Sequence, residues 1–437
     1  MRTSQSIYFS PLTAAAVVIA NMIGTGVFTS LGFQLAAIQS GFVLLMLWGV
    51  GGLTALCGAL TYAELGAALP RSGGEYHFLS EAWHPAAGFA AGWLSSTIGF
   101  SAPVALAAIT FGSYLSSVFP QLSANSLAII LIITLTLVHS TNRNNSGSLQ
   151  TLFTILKIAL ILVFIAFGLI LTPSPQNIQF SPTTGDTELL FGSAFAVSLI
   201  YVNYAYNGWN AATYLSSELK NPRRDLPRVL LFSTIIVMCA YLGLNYIFLY
   251  AAPIEQLQGK LQVGFIAAEH IFGSAGASIM GVSLSLLLVS TVSAMIIAGP
   301  RVLHAIGEDY SFFKKLSATN ANGIPVIAIL LQSCLSIAFV LTSSFESILI
   351  FSGFALGLSN FFTVAGIFIL RWKRPDLDRP YKTFLYPLTP LIFLTIMGWT
   401  LTYLMINRTS ESLASLGLIL AGVITYFIIN RRSHADE

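Results

Sequence analysis

Apolar residues occur along this chain in runs of membrane-spanning length, and short polar segments separate them. A helix needs about 20 consecutive apolar residues to cross the hydrocarbon core of a bilayer. The pattern predicts twelve such spans, at residues 11–37, 41–69, 86–118, 125–140, 149–172, 189–215, 228–251, 262–300, 324–342, 345–370, 384–406 and 411–430. No segment between them is long enough for a separate soluble domain. The pattern therefore predicts an all-α integral membrane protein.

Two of the predicted spans contain residues that suit a helix poorly. Span 1 contains Gly24-Thr25-Gly26, and span 6 contains Tyr201-Val-Asn-Tyr-Ala-Tyr-Asn-Gly-Trp-Asn210. Freed backbone groups in a membrane are tolerated only beside protein or a water-filled cavity. A small-residue face for close helix packing is the alternative explanation at the first site. Because two broken helices at matching positions of inverted halves mark transporter binding sites, the second interruption favours a binding role and leaves packing as a secondary role of Gly24.

The composition agrees with a membrane protein, and the positions of the basic residues predict how the chain is oriented in the membrane. Of the 437 residues, 55% are hydrophobic and 8% are charged, against about 25% charged in a typical soluble domain. With twelve spans, the odd-numbered connections between spans all lie on one side of the membrane. Of the 20 Lys and Arg residues, only Lys260 and Arg408 lie in those connections, and Lys157 lies within a span; the others lie on the opposite side. By the positive-inside rule we predict a multi-pass protein of the plasma membrane (the inner membrane of the cell), with both termini cytoplasmic. The net charge of +3 is then explained by the Lys and Arg residues of the cytoplasmic connections, and nucleic acid is not an expected partner.

Several polar residues within spans are candidates for a functional role. Lys157 lies about 12 Å of helix inside span 5, which is deep for a side chain that snorkels to the interface. Buried ammonium groups in membranes usually mark a substrate or ion path. Tyr241 in span 7 could line a cavity, and so could the span 8 hydroxyls of Ser290, Thr291 and Ser293. The alternatives are hydrogen bonding between helices for Tyr241 and bonding back to its own helix for Ser290.

The sequence gives little support to an enzyme. It contains neither His-Glu-x-x-His nor Gly-x-Ser-x-Gly, and it has no paired aspartates within a span. We expect Cys57, Cys239 and Cys334 to be small buried apolar residues, because all three lie within predicted spans and none belongs to a Cys-x-x-Cys pair. We predict no metal site and no cofactor.

Six motifs, in order along the chain, resemble the amino acid–polyamine–organocation transporter superfamily. They are Gly24-Thr-Gly in span 1, Pro-Arg-Ser-Gly-Gly-Glu-Tyr at 70–76, Lys157 in span 5, Ala205-Tyr-Asn-Gly-Trp-Asn in span 6, Glu218-Leu-Lys-Asn-Pro-Arg and Arg371-x-x-Arg-Pro-Asp-x-x-Arg-Pro. Spans 6 and 7 look most like the L-type amino acid transporter branch and its bacterial relatives. The resemblance implies a leucine-transporter-type fold of 12 transmembrane helices in which helices 1 and 6 are discontinuous. It also implies two inverted five-helix repeats, 1–172 and 189–370, followed by two additional spans in 384–430.

The resemblance further implies a binding site at the two interruptions. The N–H groups around Gly24, Thr25 and Gly26 would bind the carboxylate of the substrate. The carbonyl groups that would meet its amino group are those of Met22, Ile23, Tyr204, Ala205 and Asn207. Tyr204 would close over the substrate, and Tyr241 would order the break in span 1. Lys157 would stand where sodium-coupled relatives hold a cation and would bridge spans 1, 5 and 8, so sodium coupling is not expected. Ser290 is the residue of span 8 that we predict to take part in coupling or gating.

These inferences predict a secondary active transporter of neutral α-amino acids that works by alternating access. The mode would be sodium-independent exchange or proton-coupled uptake. The expected partners are the amino acid, the lipid bilayer and, for uptake, protons; the sequence defines no protein partner. Close relatives often have Gly or Asp in place of Asn207 and many have Phe in place of Tyr204, so this chain has the more polar pocket.

Three alternatives remain open at this point. The first is an antiporter of polyamines or cationic amino acids with the same fold. The absence of acidic residues from spans 1, 3, 6 and 8 near the site disfavours it. The second is a sensor that keeps the fold without transporting, and the third is an intramembrane enzyme.

Overall fold

The computed structural model describes residues 10–71, 73–141, 146–213 and 219–433, and its regular secondary structure is helical. The α-helices are α1 Pro11–Met22, α2 Gly26–Gln34, α3 Gly41–Ala68, α4 Glu75–Ala82, α5 Pro85–Leu94, α6 Ser101–Val118, α7 Ala124–Thr141, α8 Ser146–Leu171, α9 Asp186–Phe191, α10 Ser193–Tyr206, α11 Pro222–Ala251, α12 Ile254–Leu257, α13 Val263–Asp309, α14 Val326–Thr342, α15 Phe345–Lys373, α16 Leu388–Asn407 and α17 Thr409–Ser433. A π-helical turn, Ser95–Gly99, joins α5 to α6, and a 3₁₀ helix, Ser311–Ser317, follows α13. Part of the Glu218 motif and one residue of the 70–76 motif lie outside the described residues.

Ten helical segments of the described chain are long and apolar enough to cross a membrane. The other two predicted spans correspond to α14, which has 17 residues, and to α10, which has 14 residues because it ends where span 6 is interrupted. The protein is therefore an all-helical, multi-pass membrane protein, as the apolar pattern predicts.

Proline does not always end a helix, and one predicted boundary is wrong for that reason. Span 8 was expected to end at Pro300, but α13 continues to Asp309. A proline inside a helix removes one backbone hydrogen bond and bends the helix without having to stop it. In span 3, Pro103 has no N–H for the carbonyl of Gly99, and the chain widens into the π turn immediately before α6.

The two interrupted helices lie at the centre of the helical assembly. Helix α1 packs against α8 and α11, whereas α2 packs against α10 and α13. Fully buried aromatic side chains fill the space between them: the ring of Tyr241 lies 5.4 Å from that of Trp48 and 4.9 Å from that of Tyr206. Such pairs contribute about 0.5–1.5 kcal/mol each beyond their burial. This packing holds the interrupted segments in a fixed place.

One end of the molecule, which we call the basic end, carries the Arg371–Arg379 segment. The Arg371 guanidinium donates two hydrogen bonds, of 2.9 and 2.7 Å, to the buried carboxylate of Glu64 in α3. The Nε of Arg379 lies 3.5 Å from the same carboxylate. Bidentate arginine–carboxylate pairs are among the strongest hydrogen-bonded contacts. This motif therefore fastens the connection between α15 and α16 to the end of α3.

The outer surface of the helices is apolar, as a lipid environment requires. Helix α8, for example, exposes Ile155, Leu162 and Ile170. The prediction of three buried cysteines is wrong for two of them, because Cys239 and Cys334 lie on this exposed surface and only Cys57 is buried. A cysteine is apolar enough for lipid contact, so its position within a span does not decide which way it faces.

Candidate functional site

The two interruptions are in direct contact, and glycine permits that contact at two positions. A Cβ atom at Gly26 would lie 2.5 Å from the Cβ and 2.6 Å from the Cα of Ala205. A Cβ atom at Gly208, whose φ is +113°, would lie 2.8 Å from the carbonyl carbon of Asn21. Carbon atoms normally approach to about 3.5–4.0 Å. The backbone of each break therefore packs against the other with no room for a side chain.

The packing role that we expected at Gly24 belongs instead to Gly26. An added Cβ at Gly24 would have no neighbour closer than the Cγ2 atom of Thr291, at 3.9 Å. That separation is an ordinary contact. The reason for the difference is that Gly26 opens α2 and faces α10, whereas Gly24 lies in the unwound segment and faces a cavity.

The cavity has a volume of about 500 Å³ and lies against both breaks. Seven of the eight predicted substrate-binding residues line it: Met22, Gly24, Thr25, Gly26, Tyr204, Ala205 and Asn207. The N–H groups of Thr25 and Gly26 have no backbone partner among the described residues. A helix N-terminus with free N–H groups is a favourable site for an anion.

Ile23 is the exception, because its carbonyl oxygen faces away from the cavity toward Lys157. The Lys157 ammonium donates hydrogen bonds to the Ile23 oxygen at 3.1 Å and to the Thr291 Oγ1 at 2.8 Å. The Lys157 side chain is buried, with 4% exposed. It thus connects α1, α8 and α13 immediately behind the break in span 1.

The span 8 residue that meets Lys157 is Thr291 and not Ser290. The Ser290 hydroxyl donates to the carbonyl of Leu287 at 2.7 Å, within its own helix. Thr291 lines the cavity, whereas Ser290 does not. Adjacent helical residues point about 100° apart, so a shift of one residue is enough to move a hydroxyl away from the site.

Tyr241 joins the two breaks through one hydroxyl group. Its oxygen lies 2.5 Å from the carbonyl oxygen of Met22 and 3.1 Å from that of Ala205. A phenol carries a single proton, so it can donate fully to only one of these carbonyls at a time. The side chain is completely buried.

Some of the backbone oxygens that were expected to bind the amino group of the substrate already accept hydrogen bonds from the protein. The Met22 oxygen accepts from Tyr241 and also from the N–H of Gly24 at 2.8 Å. Since a carbonyl oxygen has two lone pairs, Met22 is saturated and Ile23 is turned away. In this conformation acceptor capacity remains on the span 6 side, at Tyr204, Ala205 and Asn207. The Tyr204 oxygen accepts one bond of 3.0 Å from the N–H of Asn207, and the Ala205 oxygen accepts only the 3.1 Å contact from the Tyr241 hydroxyl.

A buried carboxylate reaches the cavity from outside the spans. Glu75, at the start of α4, lines the cavity and is 5% exposed. Its Oε1 accepts hydrogen bonds from the Tyr62 hydroxyl at 3.0 Å and from the side-chain amide of Asn210. Glu75 was not among the predicted site residues, because only acidic residues within spans were candidates, although the Gly-Gly-Glu-Tyr motif contains it.

The cavity extends toward the basic end, where Tyr76 and the exposed Arg301 line it. The Tyr76 hydroxyl donates to Asp309 at 2.8 Å and so ties α4 to the end of α13. Burial, with the hydrogen bond to Asp309, raises the pKa of Tyr76 above its ordinary value, so its phenol keeps its proton at neutral pH. Sequence reasoning did not single out either Tyr76 or Arg301.

At the opposite end of the molecule the helices are fastened together. The ring of Phe33 in α2 is stacked 5.8 Å from Tyr201 of α10 and 5.8 Å from Phe345 of α15. The Tyr201 hydroxyl donates to Glu346 at 2.5 Å, and the same carboxylate pairs with Arg408. We call these five residues the closing cluster. None of them lines the cavity.

Comparison with known families matches residues 9–429 to the family described as amino acid permease. The large neutral amino acids transporter small subunit 2 of Mus musculus is 28% identical over 426 residues, which cover 95% of this chain and 80% of that protein. The serine/threonine exchanger SteT of Bacillus subtilis (strain 168) is 29% identical over 428 residues, which cover 96% of each chain. The b(0,+)-type amino acid transporter 1 of Mus musculus is 26% identical over 428 residues, which cover 95% of this chain and 86% of that protein. These matches confirm the resemblance inferred from the six motifs, and none of the three names describes an enzyme.

Proposed function

The chain belongs to the amino acid permease family, and from that premise we propose that it is a secondary active transporter of neutral α-amino acids that works by alternating access. Sodium-independent exchange and proton-coupled uptake are the two modes that fit its site. In either mode the cavity between the two breaks would hold the substrate and open to one side of the membrane at a time.

The observation that carries this proposal is the contact between the two breaks at one wall of the cavity. An α-amino acid carries a carboxylate and an ammonium group on the same carbon, so its site needs donors and acceptors side by side. The N–H groups of Thr25 and Gly26 supply the donors, and the carbonyls of Ala205 and Asn207 supply the acceptors. Because Gly26 contacts Ala205, these donors and acceptors lie close enough together to bind the two charged groups of one amino acid.

We assign the remaining residues to supporting roles. Tyr204 would close over the bound substrate from α10, and Gly24 would leave room for its carboxylate. Tyr241 would coordinate the two breaks, because its one proton is shared between a carbonyl of each. Met22 would contribute a wall and not an amine ligand in this conformation.

Lys157 supports a mode that does not use sodium. Oxygen atoms such as the Ile23 carbonyl and the Thr291 hydroxyl are the ligands that hard cations prefer. The Lys157 ammonium already occupies both of them. A sodium ion could take these two oxygens only if the Lys157 nitrogen left them.

The closing cluster supports alternating access. It holds α2, α10 and α15 together at the end of the molecule opposite Arg301, while the cavity extends toward the basic end. Access from the opposite end would require these contacts to separate. The conformation described here would then be the one that faces the basic end.

Twelve transmembrane helices in a leucine-transporter-type fold are part of the proposal. The inverted repeats would be 1–172 and 189–370, and α16 and α17 would form the additional pair in 384–430. The placement of Lys and Arg supports cytoplasmic termini in the plasma membrane. The basic end would then be cytoplasmic, and protons would be co-substrates only in the uptake mode.

A second candidate substrate class is cationic amino acids, and Glu75 is the observation that favours it. A carboxylate on the cavity wall could attract a positively charged substrate side chain. Arg301 lines the same cavity and opposes that attraction, so we rank neutral substrates first. Inhibition of uptake by lysine as strong as that by neutral amino acids would reverse this order.

Counterflow in proteoliposomes tests the proposal. We expect labelled neutral amino acids to enter vesicles loaded with unlabelled amino acid, at the same rate with sodium or potassium outside. Empty vesicles, with and without an inward proton gradient, separate exchange from proton-coupled uptake. An amino acid amide should compete poorly, because it lacks the carboxylate that the N–H groups bind. No stimulated flux of any amino acid would refute the proposal.

A further inference from the structure

Four buried polar side chains meet at the cavity wall just after the break in span 6. They come from four parts of the chain: Asn210 follows the break, Tyr62 belongs to α3, Glu75 opens α4 and Asn360 belongs to α15. At most 8% of any of them is exposed. All except Tyr62 line the cavity. We call these four residues the Glu75 cluster.

Glu75 is the centre of this cluster because one of its oxygen atoms serves two partners. The Oε1 atom accepts hydrogen bonds from the side-chain amide of Asn210 and from the hydroxyl of Tyr62, the latter at 3.0 Å. The Tyr62 oxygen also lies 2.9 Å from Oδ1 of Asn360. A carboxylate oxygen has two lone pairs, so it can accept both bonds at once. One atom of Glu75 therefore joins α3 to the segment that follows the break.

The segment after the break is held from two sides. On the side of span 1 it is held by packing, since a Cβ at Gly208 would lie 2.8 Å from the carbonyl carbon of Asn21. On the side of α3 the ring of Trp209 lies edge-on to that of Tyr62, at 4.6 Å, and the Asn210 amide binds the Glu75 cluster. Non-helical backbone lacks the regular hydrogen bonds of a helix, so these contacts fix its position.

The carbonyl groups that we propose as acceptors for the substrate ammonium belong to the same part of the chain. Asn207 is three residues before Asn210, at most about 11 Å of chain away. Ala205 packs against Gly26, beside the N–H groups of span 1. A displacement of Asn210 would move the Asn207 carbonyl relative to the donors that bind the carboxylate. Because both charged groups of an α-amino acid are attached to one carbon, the site tolerates little change in that spacing.

We infer that Glu75 is a positioning residue of the transport site. Through Asn210 it fixes the backbone after the break, and so keeps the acceptors for the substrate ammonium at the required distance from the N–H groups of Thr25 and Gly26. Its charge does not have to meet the substrate. This inference rests on the proposed function, and it gives Glu75 a role different from the attraction of a cationic side chain.

Glutamine and alanine at position 75 separate hydrogen bonding from charge. Glu75→Gln keeps an oxygen acceptor on a side chain of the same length, whereas Glu75→Ala removes the acceptor shared by Tyr62 and Asn210. In proteoliposome counterflow we expect KM for neutral amino acids to rise at least about fivefold in Glu75→Ala and to stay within about twofold of wild type in Glu75→Gln. Asn210→Ala should reproduce the rise, and combining it with Glu75→Ala should add little. The control is Glu269→Ala, which changes an exposed side chain outside the cavity and should leave KM unchanged.

A second measurement distinguishes positioning from a general loss of structure. A 2-hydroxy acid with the side chain of the substrate has a hydroxyl in place of the ammonium, and an amino acid amide lacks the carboxylate. Wild-type protein should prefer the amino acid to both, measured as inhibition of uptake. Glu75→Ala and Asn210→Ala should reduce the preference over the hydroxy acid at least about fivefold and leave the preference over the amide unchanged. A variant that is only less stable has less active protein and changes neither preference.

The outcomes also separate this inference from the proposed function. If Glu75→Gln raises KM as much as Glu75→Ala, the charge and not the hydrogen bonding is required, and the inference is overturned. A preference over the hydroxy acid that both alanine variants retain overturns it as well. Asn210→Ala leaves Glu75 and Tyr62 in place, so it decides the question if Glu75→Ala does not fold. Absence of any amino acid flux in wild-type protein refutes the proposed function, and protection of the purified proteins against heat by the amino acid and by its hydroxy acid then decides the inference.

Discussion

Replacing Gly26 with alanine tests the contact on which the site depends. The added Cβ would lie 2.5 Å from the Ala205 Cβ and 2.6 Å from the Ala205 Cα, more than about 1 Å inside the normal carbon–carbon separation. Overpacking of this kind costs about 1–3 kcal/mol. Alanine gains at most about 1 kcal/mol over glycine as a helix former. With the full gain subtracted, the net loss is up to about 2 kcal/mol, although helix propensity alone predicts a gain.

The matched control is Gly24→Ala, because its added Cβ meets nothing closer than 3.9 Å. We expect Gly26→Ala to lower the apparent melting temperature in detergent by about 1–2 °C, and Gly24→Ala to leave it unchanged. Uptake should fall in the Gly26 variant along with stability. Adding Ala205→Gly should restore stability only in part, since the Ala205 backbone still obstructs the Cβ. Equal stability of the two single variants would refute the reasoning.

Three further substitutions address the groups behind the break. Lys157→Ala leaves two buried acceptors without a donor, so uptake should fall at least about tenfold in folded, monodisperse protein. The control Lys260→Ala changes an exposed side chain and should have no effect on uptake. Flux of the Lys157 variant within twofold of wild type would contradict the role of Lys157. Tyr241→Phe removes the hydroxyl that serves both breaks, and we expect uptake to fall by about 2–12-fold; wild-type kinetics would show that the two carbonyls do not need it. Thr291→Val removes the Lys157 partner at constant shape and should reduce uptake more than Ser290→Ala, which breaks only a bond within its own helix; the reverse order would restore Ser290 as the coupling residue.

The broad class of the protein could be predicted from sequence because it depends on patterns within single segments. A run of about 20 apolar residues has to cross the bilayer as a helix wherever it packs. The glycines and amides that interrupt such runs are recognisable in the same way, and the structure contains helix breaks at both places. The motifs identified the family without any knowledge of contacts, and the family match confirms it.

Apart from the end of span 8 at Pro300, most of the errors concern the direction in which a side chain or a backbone group points. Two cysteines expected inside face outward, and Gly26 replaces Gly24 as the packing glycine. Among the span 8 hydroxyls considered, the one beside Lys157 belongs to Thr291 and not to Ser290. Glu75 was overlooked because it reaches the cavity from a connection between spans.

Gly24-Thr25-Gly26 illustrates where the limit lies. The sequence by itself predicted that the helix breaks there, because two glycines are poor helix formers in a segment long enough to span and span 6 has a matching interruption. Only the tertiary structure decided what the break does: Gly26 meets Ala205, the Met22 carbonyl is saturated, and the Ile23 carbonyl turns to Lys157. Each of these facts joins residues more than a hundred positions apart in the chain. Such contacts depend on how whole helices rotate and pack against one another, and no local pattern of apolar and polar residues specifies that rotation.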